Sequence, residues 1–250
     1  EKIGVEFRGI FYHVFDFFAC LGDLNIVFNT REYQPFVNQL VGDFRFVGAS
    51  IPDGRDAGSM KFDFFNKKKL VYVSLGTLHN QDLGFYRAVM DALADEDLNV
   101  MMSIGRNNSV ADLGPIPDNF TVENFVPQLE VLKRADAFIT HGGMNSLNEA
   151  LYFGVPVIVV PQQVEQAFNT RRLGRFGVSQ SLGRKALTPE GIRRQVMQVL
   201  NDAAFKNSAI AYGRSLRQAG GYKAAASAII DFARQRQPQQ ASAAQARRRA

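Results

Sequence analysis

Cysteine is nearly absent from this 250-residue chain, and the one present, Cys20, excludes an internal disulfide and any cysteine-rich metal centre. A chain so poor in thiols fits a reducing cytoplasm, the expected location. Histidine is scarce as well: His13, His79 and His141 stand far apart in sequence, which argues against a zinc cluster. Nothing approaches the roughly 20 consecutive apolar residues of a membrane helix. The apolar run 153–161 is short and interrupted by Gly154 and Pro156, so no membrane span is expected. No targeting signal is legible at the amino terminus, which opens on Glu1 rather than Met. A Gly-x-Gly-x-x-Gly fingerprint is also missing. Ser74-Leu75-Gly76-Thr77-Leu78-His79 stands where a dinucleotide site would need it.

Apolar residues make up 46% and charged residues 21%, ordinary values for a globular protein of one or two domains. The formal charge of +5 invites a nucleic-acid reading, but its source argues otherwise. Arg247, Arg248 and Arg249 lie in a Gln/Ala-rich tail from 237 to 250 that reads as disordered; without them 26 basic residues face 24 acidic ones. No nucleic-acid partner is expected.

From 70 onward, strand and helix signals alternate, the pattern of an α/β domain with a doubly wound parallel sheet. Apolar β-rich runs fall at 70–75, 99–104, 120–125, 137–140 and 155–160. Helical periodicity covers 83–94, 128–134, 145–153, 167–176, 189–201, 205–218 and 223–234. The first part differs. Ile3, Phe7, Ile10, Phe11, Val14, Phe18 and Leu21 recur at helical spacing, and β-like runs follow at 24–29 and 44–47. One helix and two strands do not enclose a core. Residues 1–51 are therefore expected to be the closing portion of another domain, 52–69 a linker, and 70–236 a ligand-binding domain.

In such a sheet ligands bind beyond the carboxyl ends of the strands. Those ends carry Ser74, Gly76 and Thr77; Gly105, Arg106 and Asn107; Phe125, Val126, Pro127 and Gln128; His141, Gly142 and Gly143; and the loop from Pro161 to Gln166. Two adjacent glycines let the chain turn sharply and approach a ligand. A helix starting near Asn145 then points its N–H groups and positive dipole end at the same spot, a natural phosphate site. Asn145, Ser146 and Glu149 share its first turn, and His141 adds a donor. Each feature has a plain structural alternative: Ser146 with Glu149 spells a capping box, Asn145 a cap, Gly-Gly a turn. Those alternatives do not account for the gathering of Phe125, Gln128, His141, Asn145, Ser146, Glu149, Glu165 and Gln166 on one rim. Phe125 offers a ring face for stacking. An acid–amide pair at Glu165 and Gln166 suits the hydroxyls of a sugar.

The run Phe125-Val126-Pro127-Gln128, then Thr140-His141-Gly142-Gly143-Met144-Asn145-Ser146, Glu149, Gly154-Val155-Pro156, Pro161 and Glu165-Gln166 resembles the donor signature of one family. It is that of the inverting nucleotide-sugar-dependent glycosyltransferases with two facing Rossmann-like domains (family 1, GT-B fold). Phe-Ile-Thr-His-Gly-Gly-Met-Asn-Ser and Glu-Ala-Leu are most similar to the bacterial macrolide branch. The resemblance implies that Phe125 stacks on uracil, the Val126 backbone reads its edge, and Gln128 and Glu149 hold the ribose. It further implies that His141, Gly143, Asn145, Ser146 and the Ser74–Gly76–Thr77 loop bind the diphosphate, with Met144 near the sugar and Glu165 and Gln166 on its hydroxyls.

A UDP-sugar co-substrate, glucose foremost, and a small hydrophobic hydroxylated acceptor such as a macrolide are the implied partners. No metal or other cofactor is required. In the family an early histidine of the acceptor domain takes the acceptor proton. Residues 1–51 resemble only the end of that domain, His13 does not match that histidine, and no catalytic base is assigned. Two other readings stay open: a non-catalytic nucleotide-sugar-binding module, and a sugar-nucleotide epimerase for which Glu165 is the placed acid–base candidate.

Overall fold

The computed structural model describes residues 21–52, 68–76 and 80–247. The amphipathic run before Leu21, His13 within it, linker residues 53–67 and the candidate Thr77 lie outside them. The chain divides into two compact units, Glu1–Ser50 with Arg217–Ala250, and Ile51–Leu216.

The larger unit is built on β3 (Lys69–Ser74), β4 (Leu98–Ser103), β5 (Phe120–Glu123), β6 (Ala137–Thr140), β7 (Val157–Val159) and β8 (Ser179–Ser181). They form one sheet in the order β5-β4-β3-β6-β7-β8, with every neighbouring pair parallel. Helices cover both faces of a parallel sheet, so central strands read as unbroken apolar runs. Accordingly β6 and β7 are buried at every position, and β3 at all but Lys69.

The covering helices are α1 (Leu83–Leu93), α2 (Gln128–Leu132), α3 (Met144–Tyr152), α4 (Val164–Gly174), α5 (Pro189–Asn201) and α6 (Ala203–Gln218). Their starts follow local chemistry. Asp82 caps α1 by accepting from Phe85 N–H at 3.0 Å. Thr188 caps α5, with Pro189 in the first turn, where its missing N–H costs nothing. The strand order reverses between β3 and β6, and a crevice opens there beyond the carboxyl ends. The domain is thus α/β with a Rossmann-like doubly wound sheet.

The smaller unit pairs β1 (Asn25–Val27) with β2 (Phe44–Phe46) in parallel, Asn25 opposite Phe44. It also holds α7 (Gly221–Arg247), whose Gly221 N–H donates to Val47 O at 2.5 Å and whose Arg236 pairs with Asp23 at 2.6 Å.

Three expectations need correction. First, β8 was not expected: Ser-Gln-Ser is short and polar, and only the flanking Val178 and Leu182 are buried apolar residues. Second, helix α7 runs on through the stretch from 237 that was expected to be disordered. Alanine, glutamine and arginine are good helix formers, and extending a helix needs no new nucleus. Third, the larger compact unit ends at Leu216, short of the 236 expected for the ligand-binding domain, because periodicity announces a helix but not the core it joins.

No helix among the described residues is long and apolar enough to cross a membrane. On one face of the sheet the fully buried Phe138 ring stacks on Tyr72, centroids 4.6 Å apart and planes 12° from parallel. Truncation there leaves a cavity, so Phe138→Ala is expected to lower stability by about 3–5 kcal/mol, read from the shift in urea unfolding midpoint.

Candidate functional site

A cleft of about 830 Å³ opens at the reversal of strand order, within the usual range for a small-molecule site. The strand ends that frame it are level, since Ser74 pairs in register with Ser103 on one side and Thr140 on the other. Eleven of the expected site residues line it: Ser74, Gly76, Phe125, Val126, Gln128, His141, Gly143, Met144, Asn145, Ser146 and Glu149.

At the centre stands His141, wedged between two backbones. A Cβ added to Gly76 would lie 2.6 Å from His141 Cε1, and one added to Gly143 would lie 2.5 Å from Nε2. Gly142, at φ +90°, turns the chain where a Cβ would meet Val159 Cγ1 at 2.5 Å. Helix α3 begins directly afterwards, with Gly143 as its cap residue and Leu147 N–H making the first helical bond, to Gly143 O at 3.0 Å. No side chain caps it. The Ser146–Glu149 capping box therefore does not form, because the helix starts two residues before Ser146. Its first-turn N–H groups have no carbonyl within the helix and present a partial positive charge to the cleft.

Beside this positive end runs a polar chain. Tyr72 O–H donates to Gln128 Oε1 at 3.1 Å, and Gln128 Nε2 donates to Glu149 Oε2 at 2.6 Å. A carboxylate only accepts, so it fixes the orientation of the Gln128 amide. Burial pushes the Tyr72 phenol above its ordinary pKa, which keeps it a proton donor. Glu149 is 8% exposed, and its oxygens and the Gln128 amide offer both acceptors and donors to ligand hydroxyls. At the outer edge Phe125 is 61% exposed, with the Arg106 guanidinium 5.6 Å from its ring centroid.

Glu165 and Gln166 do not line the cleft. Helix α4 starts three residues earlier than expected, which puts both in its first turn instead of a loop. Gln166 Oε1 accepts from the N–H groups of Gln162 (2.7 Å) and Gln163 (3.1 Å), and Glu165 accepts from the Asn169 amide. Gly105, Arg106 and Asn107, expected at the rim though given no role, line the cleft too, and sequence reasoning passed over Tyr72, Asn80, Ser103 and Asn124, which also line it. Tyr72 was legible from period two, two residues before Ser74 on the same face. Arg106 and Asn107 follow a strand end.

The chain matches a family model described as "Erythromycin biosynthesis protein CIII-like, C-terminal domain" over residues 87–216. It is 34% identical over 236 residues to the Uncharacterized UDP-glucosyltransferase YojK of Bacillus subtilis (strain 168), covering 94% of this chain and 58% of that protein. It is 31% identical over 216 residues to the Oleandomycin glycosyltransferase of Streptomyces antibioticus, covering 86% of this chain and 50% of that one. Among solved structures it is similar to the glycotransferase of kitacinnamycin, with TM-score 0.76 and 32% identity over 83% of this chain and 54% of the other. The chain thus spans about half the length of the relatives it matches.

The seat of His141 has a direct test. Gly143 has φ −64°, so an alanine there is unstrained in backbone and acts through volume alone. Gly143→Ala is expected to displace the imidazole, shifting its Cε1–H resonance, and to cost about 1–3 kcal/mol in unfolding. Gly76, at φ +81°, adds left-handed strain, and Gly76→Ala is expected to cost about 1–2 kcal/mol more.

Proposed function

Since this chain belongs to the nucleotide-sugar-dependent glycosyltransferases of family 1, with the GT-B fold, we propose that its cleft holds a UDP-sugar for inverting transfer. The sugar is a hexose, glucose by preference, and the acceptor is a hydroxyl of a small hydrophobic molecule such as a macrolide. The observation that carries this reading is the uncapped start of α3 beside His141 at one end of the cleft, with the exposed ring of Phe125 at the other. A positive helix end suits a diphosphate, and an exposed aromatic face suits a base. The Gln128–Glu149 pair between them suits the vicinal hydroxyls of a ribose.

In the proposed reaction the acceptor oxygen forms a bond to the anomeric carbon from the face opposite the diphosphate. The bond from that carbon to the β-phosphate oxygen breaks, and UDP leaves with the electron pair. Charge builds up on the leaving oxygen, where His141 and the first-turn N–H groups of α3 stabilise it without a metal. Ser74, Gly76 and Thr77 complete the diphosphate loop, Val126 reads the base edge through its backbone, and Met144 borders the sugar. Glu165 stays in the proposal as a ligand of the sugar hydroxyls, since α4 leans on the Gly-Gly turn through the bond from Asn169 Nδ2 to Gly142 O at 3.3 Å. Gln166 offers its amide nitrogen for that purpose, its Oε1 being taken by the N–H groups of Gln162 and Gln163. The acceptor's proton goes to a base supplied from outside the described residues. A cytoplasmic location, argued from the single cysteine, belongs to the same proposal.

Calorimetric titration with UDP-glucose, TDP-glucose and GDP-mannose tests the donor site. The expected result is binding of UDP-glucose ahead of the other two, weakened at least tenfold by His141→Ala. Phe125→Ala should lose about 1–3 kcal/mol, the usual worth of a base stacked on an aromatic ring. No binding by a folded chain would refute the assignment.

A further inference from the structure

Along the β3, β4 and β5 side of the cleft, three asparagine amides link the loops that follow the strands. Asn80 Nδ2 donates to Gly76 O at 2.8 Å. Asn108 Nδ2 donates to Asn80 O at 2.7 Å and Ile104 O at 2.5 Å. Asn124 Nδ2 donates to Asn108 O at 2.6 Å and Gly105 O at 2.9 Å. Every bond runs from a side-chain amide to a main-chain carbonyl, and three of the five cross from one loop to another. The loops touch directly as well: Gly105, at φ +83°, lies so close to Asn80 that a Cβ would stand 2.1 Å from its Nδ2.

The two ends of this series matter most. It starts at Gly76, whose backbone abuts the His141 ring, and ends at Asn124, the residue before Phe125. Asn80 is 2% exposed and lines the cleft, as does Asn124, whereas Asn108 does not line it. The middle of the series is thus set back from any ligand.

We propose that Asn80, Asn108 and Asn124 are positioning residues that join the base platform at Phe125 to the diphosphate seat at Gly76 and His141. Base and diphosphate of one donor are then gripped together instead of separately. The proposal rests on the donor-site reading above. Its physical content is pre-organisation: with the loops bonded to one another, the ordering that one end of the ligand would have to enforce is already in place for the other. All five bonds of the series run between the chain's own amides and carbonyls.

Double-mutant cycles on the affinity of the full chain for UDP test this. Asn108→Ala is expected to weaken UDP by about 5–150-fold, the range of a coupling free energy between sites. In a Phe125→Ala or His141→Ala background the same change should cost less than about threefold, because one end of the join is already lost. Asn108→Asp keeps the size but turns carboxylate oxygens toward two carbonyls, and should weaken UDP at least as much as Asn108→Ala.

Unchanged UDP affinity in Asn108→Ala overturns the proposal. An equal fold-loss in every background also overturns it, since that is what a merely structural asparagine produces. Should Asn108→Ala fail to fold, Asn124→Ala in the same cycle with His141→Ala is read by the same criteria. Wild-type chain that does not bind UDP overturns the donor-site reading and this proposal with it. Wild-type binding with no coupling overturns the asparagine series alone.

Discussion

The loops after β3 and β6 approach each other so closely that side chains are forbidden at the contact, and the rest of the site depends on that approach. Level strand ends, Ser74 opposite Thr140, bring the two loops together. Gly76 and Gly143 then leave space for one imidazole and nothing more. The turn that makes this possible needs Gly142 at a positive φ packed against Val159. Its direction in turn sets where the N-terminus of α3 points. One steric constraint therefore places a ring donor and a helix dipole on the same point in space. That is the arrangement needed to receive negative charge.

Packing extends this order into the middle of the cleft. Phe138, in the core of β6, stacks on Tyr72 of β3. The phenol of Tyr72 then orients the Gln128 amide, which holds the buried Glu149 carboxylate. A site amide is thus positioned by a core aromatic pair, and loosening the core loosens the site. The same connection explains why the ionisable Tyr72 and Glu149 can both lie buried: each is hydrogen-bonded to the Gln128 amide between them.

Much of this was legible in the sequence because the larger unit obeys simple rules. Val71, Val73 and their neighbours form an unbroken apolar run, as a strand covered on both faces must. Gly142-Gly143 ahead of Asn145 spelled a tight turn into a helix. What escaped notice had weaker local signals. Ser179-Gln180-Ser181 completes the sheet with no apolar alternation, because an edge strand is held by main-chain bonds to β7. The early start of α4 depends on Gln163 and Gln166 capping reciprocally, and glutamine is not a usual cap residue. That shift by three residues gives Gln166, an expected sugar ligand, a place in the helix cap as well. The asparagine series was invisible for another reason: its members at 80, 108 and 124 are distant in sequence, and only the parallel crossover connections bring them together.

The account stands on one claim, that a UDP-sugar lies across the cleft with its base at Phe125 and its diphosphate at the start of α3. Amide resonances of the chain, followed while UDP-glucose is added, test it most directly. The account predicts saturable shifts concentrated at Gly76, Phe125, Gly143, Asn145 and Ser146. Shifts confined to other surfaces, or none at all from a folded chain, would contradict it.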